Sequence, residues 1–205
     1  LSAFARGDDQ TPVSMEDYSE PVKSIGNSTT TPRDLVTEED VKIVTYVLAE
    51  SVASRLKDNH FKCRVVEISV RDNELFSFTR QRKIQSPTDI SSEIAAEAMK
   101  LFRENYDWSR PIRSVGVRAC DLVDASFLFQ LSLFSDEDRR NKMRKMDEMS
   151  DDIRRRFGFY SIQRGLMYCD GKLSRVNAKE DHTIHPHGYF ENGNHVLDEP
   201  RRRCS

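Results

Sequence analysis

Two rhythms of apolar and polar positions run through residues 23–121. Between Lys62 and Arg71 the period is two: Val66, Ile68 and Val70 point one way, and Val65, Glu67, Ser69 and Arg71 the other. Ile112 to Cys120 repeats it, burying Val115 and Val117 and showing Ser114, Gly116 and Arg118. Glu74 to Lys83 follows the Asp72-Asn73 turn, a hairpin signal, with Phe76 and Phe78 predicted inward and Ser77 and Thr79 outward. A Ser/Thr-rich strand is predicted from Lys23 to Thr31, ended by Pro32. The other rhythm is helical. Val41, Val44, Leu48, Val52 and Leu56 follow a capping-box-like Thr37 and Asp40, and Ile90, Ile94, Ala98, Leu101 and Phe102 follow Ser86-Pro87-Thr88-Asp89. The order strand, helix, strand, strand, helix, strand predicts an α+β fold: a four-stranded antiparallel sheet with two helices on one face.

Outside this block the pattern weakens. Residues 1–7 read as a helix end stopped by Gly7, and 8–22 as an extended linker with Pro12 and Pro21. The domain spans 23–125. Residues 126–135 hold the apolar run SFLFQLSLF, and 136–205 form a helical, partly disordered tail. Within the tail, 136–157 predicts a charged helix with an apolar stripe of Met143, Met146, Met149, Ile153 and Phe157. Ser161 to Tyr168 is a candidate short helix, and from about residue 170 weak order is expected.

Charge sharpens this outline. The four strand-like pieces (23–33, 62–71, 75–83, 110–120) carry eleven Lys or Arg and one acid, Glu67, while the two helix-like pieces (38–58, 89–107) carry five basic and ten acidic residues. The whole chain sums to −2, which hides the contrast. The expectation is a basic open sheet face and an acidic helical back, suited to a nucleic-acid backbone. Ser24, Gly26, Ser28 and Thr30 are placed on one strand of that face. Ser77, Thr79, Arg80 and Arg82 are placed on another, and Ser114, Gly116 and Arg118 on a third. Small residues leave amides open to phosphate oxygens and the cations supply charge. With Ser77 and Thr79 where an RNA-recognition module stacks aromatics, a duplex backbone fits better than a single strand. An RNA-binding module of the same strand order, and a protein-interaction module without a nucleic-acid role, are the alternatives.

Other signals mostly exclude. No run of 18 apolar residues suggests a membrane span, and no signal peptide opens the chain. The chain lacks an initial Met and reads as a piece of a longer protein. Four scattered cysteines form no CxxC pair, which fits a reducing cytoplasm. His182, His185 and His187 lack the frame of a metal site. No P-loop, triad or paired buried carboxylates appear, so neither catalysis nor a cofactor is expected in this fragment.

Three segments carry a family resemblance. SIGNSTTTPRD (24–34), FSFTRQRK (76–83) and IRSVGVR (112–118) resemble the little-finger domain of Y-family translesion DNA polymerases, in the bacterial DNA polymerase IV-like branch. ARGDDQTPV (5–13) is similar to the end of that family's thumb and its tether, and RFGFYSIQRGL to the tail of the same branch. The resemblance implies a sheet that holds the phosphates of primer-template duplex. The implied contacts are Ser24, Gly26, Asn27, Ser28, Thr79, Arg80, Arg82, Arg113, Gly116 and Arg118. Ser114 stands where some members carry a second Arg. It also implies that the catalytic palm and its Mg²⁺ ions belong to a preceding part of the parent polymerase. Gln130-Leu131-Ser132-Leu133-Phe134 is similar to the bacterial sliding-clamp-binding pentapeptide. In that motif Leu133 and Phe134 fill an apolar pocket, Leu131 adds contact and Gln130 fixes register.

Overall fold

The computed structural model describes residues 5–7, 22–126 and 136–175. The elements run β1 (Ser24–Leu35), α1 (Glu38–Asp58), β2 (Phe61–Asp72), β3 (Ser77–Thr88), α2 (Ser91–Asn105), β4 (Ile112–Asp124) and α3 (Glu137–Phe157). Two 3₁₀ turns, Phe159–Ser161 and Gly165–Cys169, lead to the four-residue helix α4 (Gly171–Ser174). The sheet is antiparallel in the order β1-β4-β2-β3, so β4 and β2 are central and β1 and β3 are edges.

The core forms where the two rhythms meet. Val66, Ile68 and Val70 of β2 and Val115, Val117 and Ala119 of β4 present one sheet face. Against it lie Val41, Val44, Leu48, Val52 and Leu56 of α1 and Ile94, Ala98 and Phe102 of α2. Residues 3 and 4 apart share a helix face, so each stripe seals one side of the sheet and leaves the other bare.

α1 starts as its sequence predicts. Thr37 accepts a hydrogen bond from the Asp40 amide, and the Asp40 carboxylate accepts one from the Thr37 amide. α2 does not. Its N-cap, Ile90, offers no side-chain bond. The Ser91 amide instead donates 2.8 Å to Asp147 of α3, a cap supplied from 56 residues away.

Two boundaries differ from expectation. β1 continues past Pro32 to Leu35, with an irregularity between Thr30 and Leu35. An edge strand tolerates proline because one row of its amides faces outward. Phe76 precedes β3 and is exposed, since the turn after Asp72 carries it off the core.

The segment 136–175 packs on the helical side. Met167 and Leu173 are buried in the main core, Leu173 completely, a burial that contributes about 2 kcal/mol. The order at 171–174 overturns the expectation of weak structure there; its cause is tertiary burial, which periodicity does not report. No helix among the described residues is long and apolar enough to cross a membrane.

Candidate nucleic-acid interface

The helices and residues 136–175 occupy one side of the sheet, and no described element lies over the other. The uncovered side is organised as four cross-strand rows, reading β1, β4, β2, β3. They are Ser24–Cys120–Val65–Lys83, Gly26–Arg118–Glu67–Gln81, Ser28–Gly116–Ser69–Thr79 and Thr30–Ser114–Arg71–Ser77. Small hydroxyl-bearing side chains fill the centre, with Arg118, Arg71 and Lys83 projecting around them.

Glycine shapes this floor at two points. A Cβ on Gly26 would come 2.9 Å from Arg118 Cγ, so the bare backbone lets the Arg118 stem lie across β1. A Cβ on Gly116 would collide with Ser69 Oγ and reach 3.0 Å from Ser28 Cβ. The two serines close over the glycine from the neighbouring strands.

Arg118 is half exposed, and its Nε lies 3.6 Å from Glu67 Oε1, beyond a good hydrogen bond. Neither Arg71 nor Lys83 forms a close ion pair with a carboxylate among the described residues, although the Asp121 carboxyl, held down chiefly by its hydrogen bond from Arg64, also feels the Lys83 charge. The face therefore carries three cations and one acid. Most other strand cations are taken up elsewhere. Arg33 bridges Asp40 at 2.6 Å and Asp170 at 2.8 Å. Arg64 pairs with Asp121 at 2.6 Å, and Arg110 with Glu74 at 2.9 Å. The Arg33 hydrogen bond holds the Asp40 carboxyl below the usual carboxylate range, against its partial burial, and does the same for Asp170.

The structure gathers six of the expected contacts on one face: Ser24, Gly26, Ser28, Thr79, Gly116 and Arg118. Four others do not join them. Asn27 is buried on the helical side, where its Nδ2 donates to Ser51 Oγ at 3.3 Å. Arg80 and Arg82 pair with Ile68 and Val66 in register and so point to the helical side. There Arg82 pairs with Glu104 and, at 3.3 Å, Glu97, while Arg80 donates to Asn105 Oδ1 at 3.1 Å and lies over the Phe78 ring. The period of two decides this: with Ser77 and Thr79 outward, Gln81 and Lys83 are outward and the arginines between them are not. Arg113 sits at the β1–β4 irregularity, donating to Thr31 O at 2.9 Å with Asp34 at 3.7 Å. Lys83, Gln81, Ser69 and Arg71 complete the face. Strict alternation along β2 and β3 was the signal for them.

The open face is thus much less positive than strand composition implied, because acids of the helices and turns neutralise cations at the edges and back. Arg154 of the charged helix α3 donates 2.8 Å to Glu50 on the helical side. Gln130 to Phe134, and His182, His185 and His187, lie outside the described residues. No three His, Cys, Asp or Glu among the described residues gather in a way that could hold a metal ion.

Residues 22–133 match the profile of the impB/mucB/samB family C-terminal domain. DNA polymerase IV of Acetivibrio thermocellus is 46% identical over 176 residues, covering 86% of this chain and 44% of that protein. DNA polymerase IV 1 of Halalkalibacterium halodurans is 32% identical, covering 80% and 40%. The chain thus spans about two fifths of the length of these relatives. A solved complex of the beta-clamp processivity factor and the little finger domain of PolIV aligns with 55% of this chain and 99% of that one, at 19% identity and a TM-score of 0.42.

Proposed function

The chain belongs to the impB/mucB/samB family through its C-terminal domain, and from that premise we propose that its open sheet face grips duplex DNA by the backbone as part of a translesion polymerase. The carrying observation is the four-row face. Ser28 and Ser69 close over Gly116, and Arg118, Arg71 and Lys83 flank them with no described element covering them. Such a surface offers hydrogen bonds and charge to phosphates and nothing matched to base edges. Binding indifferent to sequence suits copying across damaged template. With Phe78 on the helical side and Ser77 and Thr79 outward, the face offers no aromatic for stacking a single strand, which argues against RNA. Within this proposal the parent chain is a DNA-directed DNA polymerase whose Mg²⁺-binding carboxylates lie in another part. Gln130 to Phe134 would dock it on the bacterial sliding clamp.

The test is fluorescence anisotropy of the chain with primer-template duplex across a salt series. Arg71→Glu, Lys83→Glu and Arg118→Glu are expected to weaken binding, each phosphate contact removed lowering the slope of log affinity against log salt by about one. Arg80→Glu, on the helical side, is expected to leave that slope unchanged. Tighter binding of single-stranded RNA, or equal effects of Arg80→Glu and Arg118→Glu, would overturn the assignment. Clamp docking has its own test: Leu133→Ala with Phe134→Ala should abolish capture by purified clamp and spare duplex binding.

A further inference from the structure

α3 attaches to the domain by its polar side. Arg140, Arg144, Asp147, Asp151 and Arg154, at spacings of 4, 3, 4 and 3, form one face and meet Glu93, Asp89, Ser91, Lys57 and Glu50 of the domain. Asp147 is the helix's one buried residue. Three of the five stripe residues face away: Met146 and Met149 are each 64% exposed and Phe157 is 74% exposed, while Met143 and Ile153 are half-buried. A helix held by ion pairs with Met146, Met149 and Phe157 in water reverses the usual arrangement. Clustered exposed apolar side chains mark an interaction surface.

Charge beside the stripe identifies what fits it. Arg139, Lys142, Lys145 and Arg156 are exposed and lie within about 100° of the stripe on a helical projection. None of the four pairs with a carboxylate among the described residues. On that side Asp152 is already taken by Arg155, leaving Asp138 as the acid without an ion pair among the described residues. A second copy of α3 would bring these cations against their own kind. Nucleic acid would leave the methionines and phenylalanine without partners. We propose that this surface receives an acidic amphipathic helix of another protein, which packs apolar residues on Met146, Met149, Ile153 and Phe157 and aims carboxylates at the flanking cations. Methionine's flexible thioether suits such docking because it adapts to more than one partner shape. The proposal is independent of the duplex reading, since α3 lies on the opposite side of the domain.

The probe is a labelled synthetic helix of about three heptads, with Leu at a and d and Glu at e and g, added to the full chain. A second peptide carries Lys at e and g. The Glu peptide should bind saturably and weaken as salt rises; the Lys peptide should not bind. Met149→Ser with Phe157→Ser, and separately Lys142→Glu with Lys145→Glu, should each weaken binding at least about tenfold. Because these side chains are exposed, the melting temperature should not change, and the charge-swap pair tests the surface without touching its apolar part. The proposal fails if the two peptides bind equally or the Glu peptide does not bind. It fails likewise if both variant pairs bind as the parent does, if anionic vesicles capture the chain in preference to the peptide, or if sedimentation shows self-association lost in Met149→Ser.

Discussion

Gly116 shows how one missing side chain sets the surface around it. It sits in a central strand with Ser28 and Ser69 closed over it, so an added methyl cannot be accommodated without moving a strand neighbour. Gly116→Ala is expected to cost about 1–3 kcal/mol in urea denaturation. Ser69→Ala should recover part of that loss by removing the nearest atom; no recovery would mean the strain lies against Ser28. The cysteines give a second residue-scale test. Burial pushes the Cys63 thiol up to about 12, whereas Cys169 is exposed. At pH 8 an alkylating agent should label Cys169 quickly and reach Cys63 only through unfolding, as peptide mass spectrometry would show. Simultaneous labelling would mean that β2 is not sealed. The place of Ser24, Gly26, Ser28, Thr79, Gly116 and Arg118 on the open face was legible in sequence. The expected place of Arg80 and Arg82 on that face does not hold, because strict alternation from Ser77 puts them with the helices.

At the scale of elements, α1 was readable because its cap and its stripe are local, and Thr37 and Asp40 cap it as expected. α2 was readable in its stripe but not in its start, because Asp147 supplies the cap through space. The attachment of α3 centres on Glu50, whose carboxylate takes Arg154 at 2.8 Å and Arg164 at 2.6 Å with 9% of its side chain exposed. Glu50→Ala strands Arg154, itself 11% exposed, so a loss of about 3 kcal/mol is expected, with faster proteolysis within 136–175. Unchanged proteolysis would count against a docked α3. The second clasp, Arg33 with Asp40 and Asp170, has a defined pH response. Both carboxyls are held below their ordinary value of 3.8, chiefly by hydrogen bonds from Arg33. A depressed carboxyl contributes stability that is complete above its unfolded value and lost as pH falls through the folded one. The melting temperature should therefore draw no change from this clasp between pH 5 and 8 and should fall below about pH 4. Arg33→Ala should shrink that acid-side fall.

Over the whole molecule, the family profile ends at residue 133 but the fold does not. Leu173 and Met167 belong to the main core, and Asp147 caps a helix of the domain. Removing residues 136–205 should lower the denaturation midpoint and expose apolar surface to a dye such as ANS, while the intact chain unfolds in one transition. Equal midpoints would make the tail an appendage. The same scale explains the charge map. Sequence alone determined the order of elements, the two helical stripes and the small-residue floor of the sheet, because these depend on periods of 2 and 3.6 that neighbours in the chain already contain. Only the tertiary structure decided which strand cations are neutralised by acids of other elements and what holds residues 136–175. Those outcomes depend on ion pairs such as Arg33 with Asp170 and Glu50 with Arg164, between residues more than 100 positions apart. A one-dimensional pattern carries no information on which acid will neutralise which base.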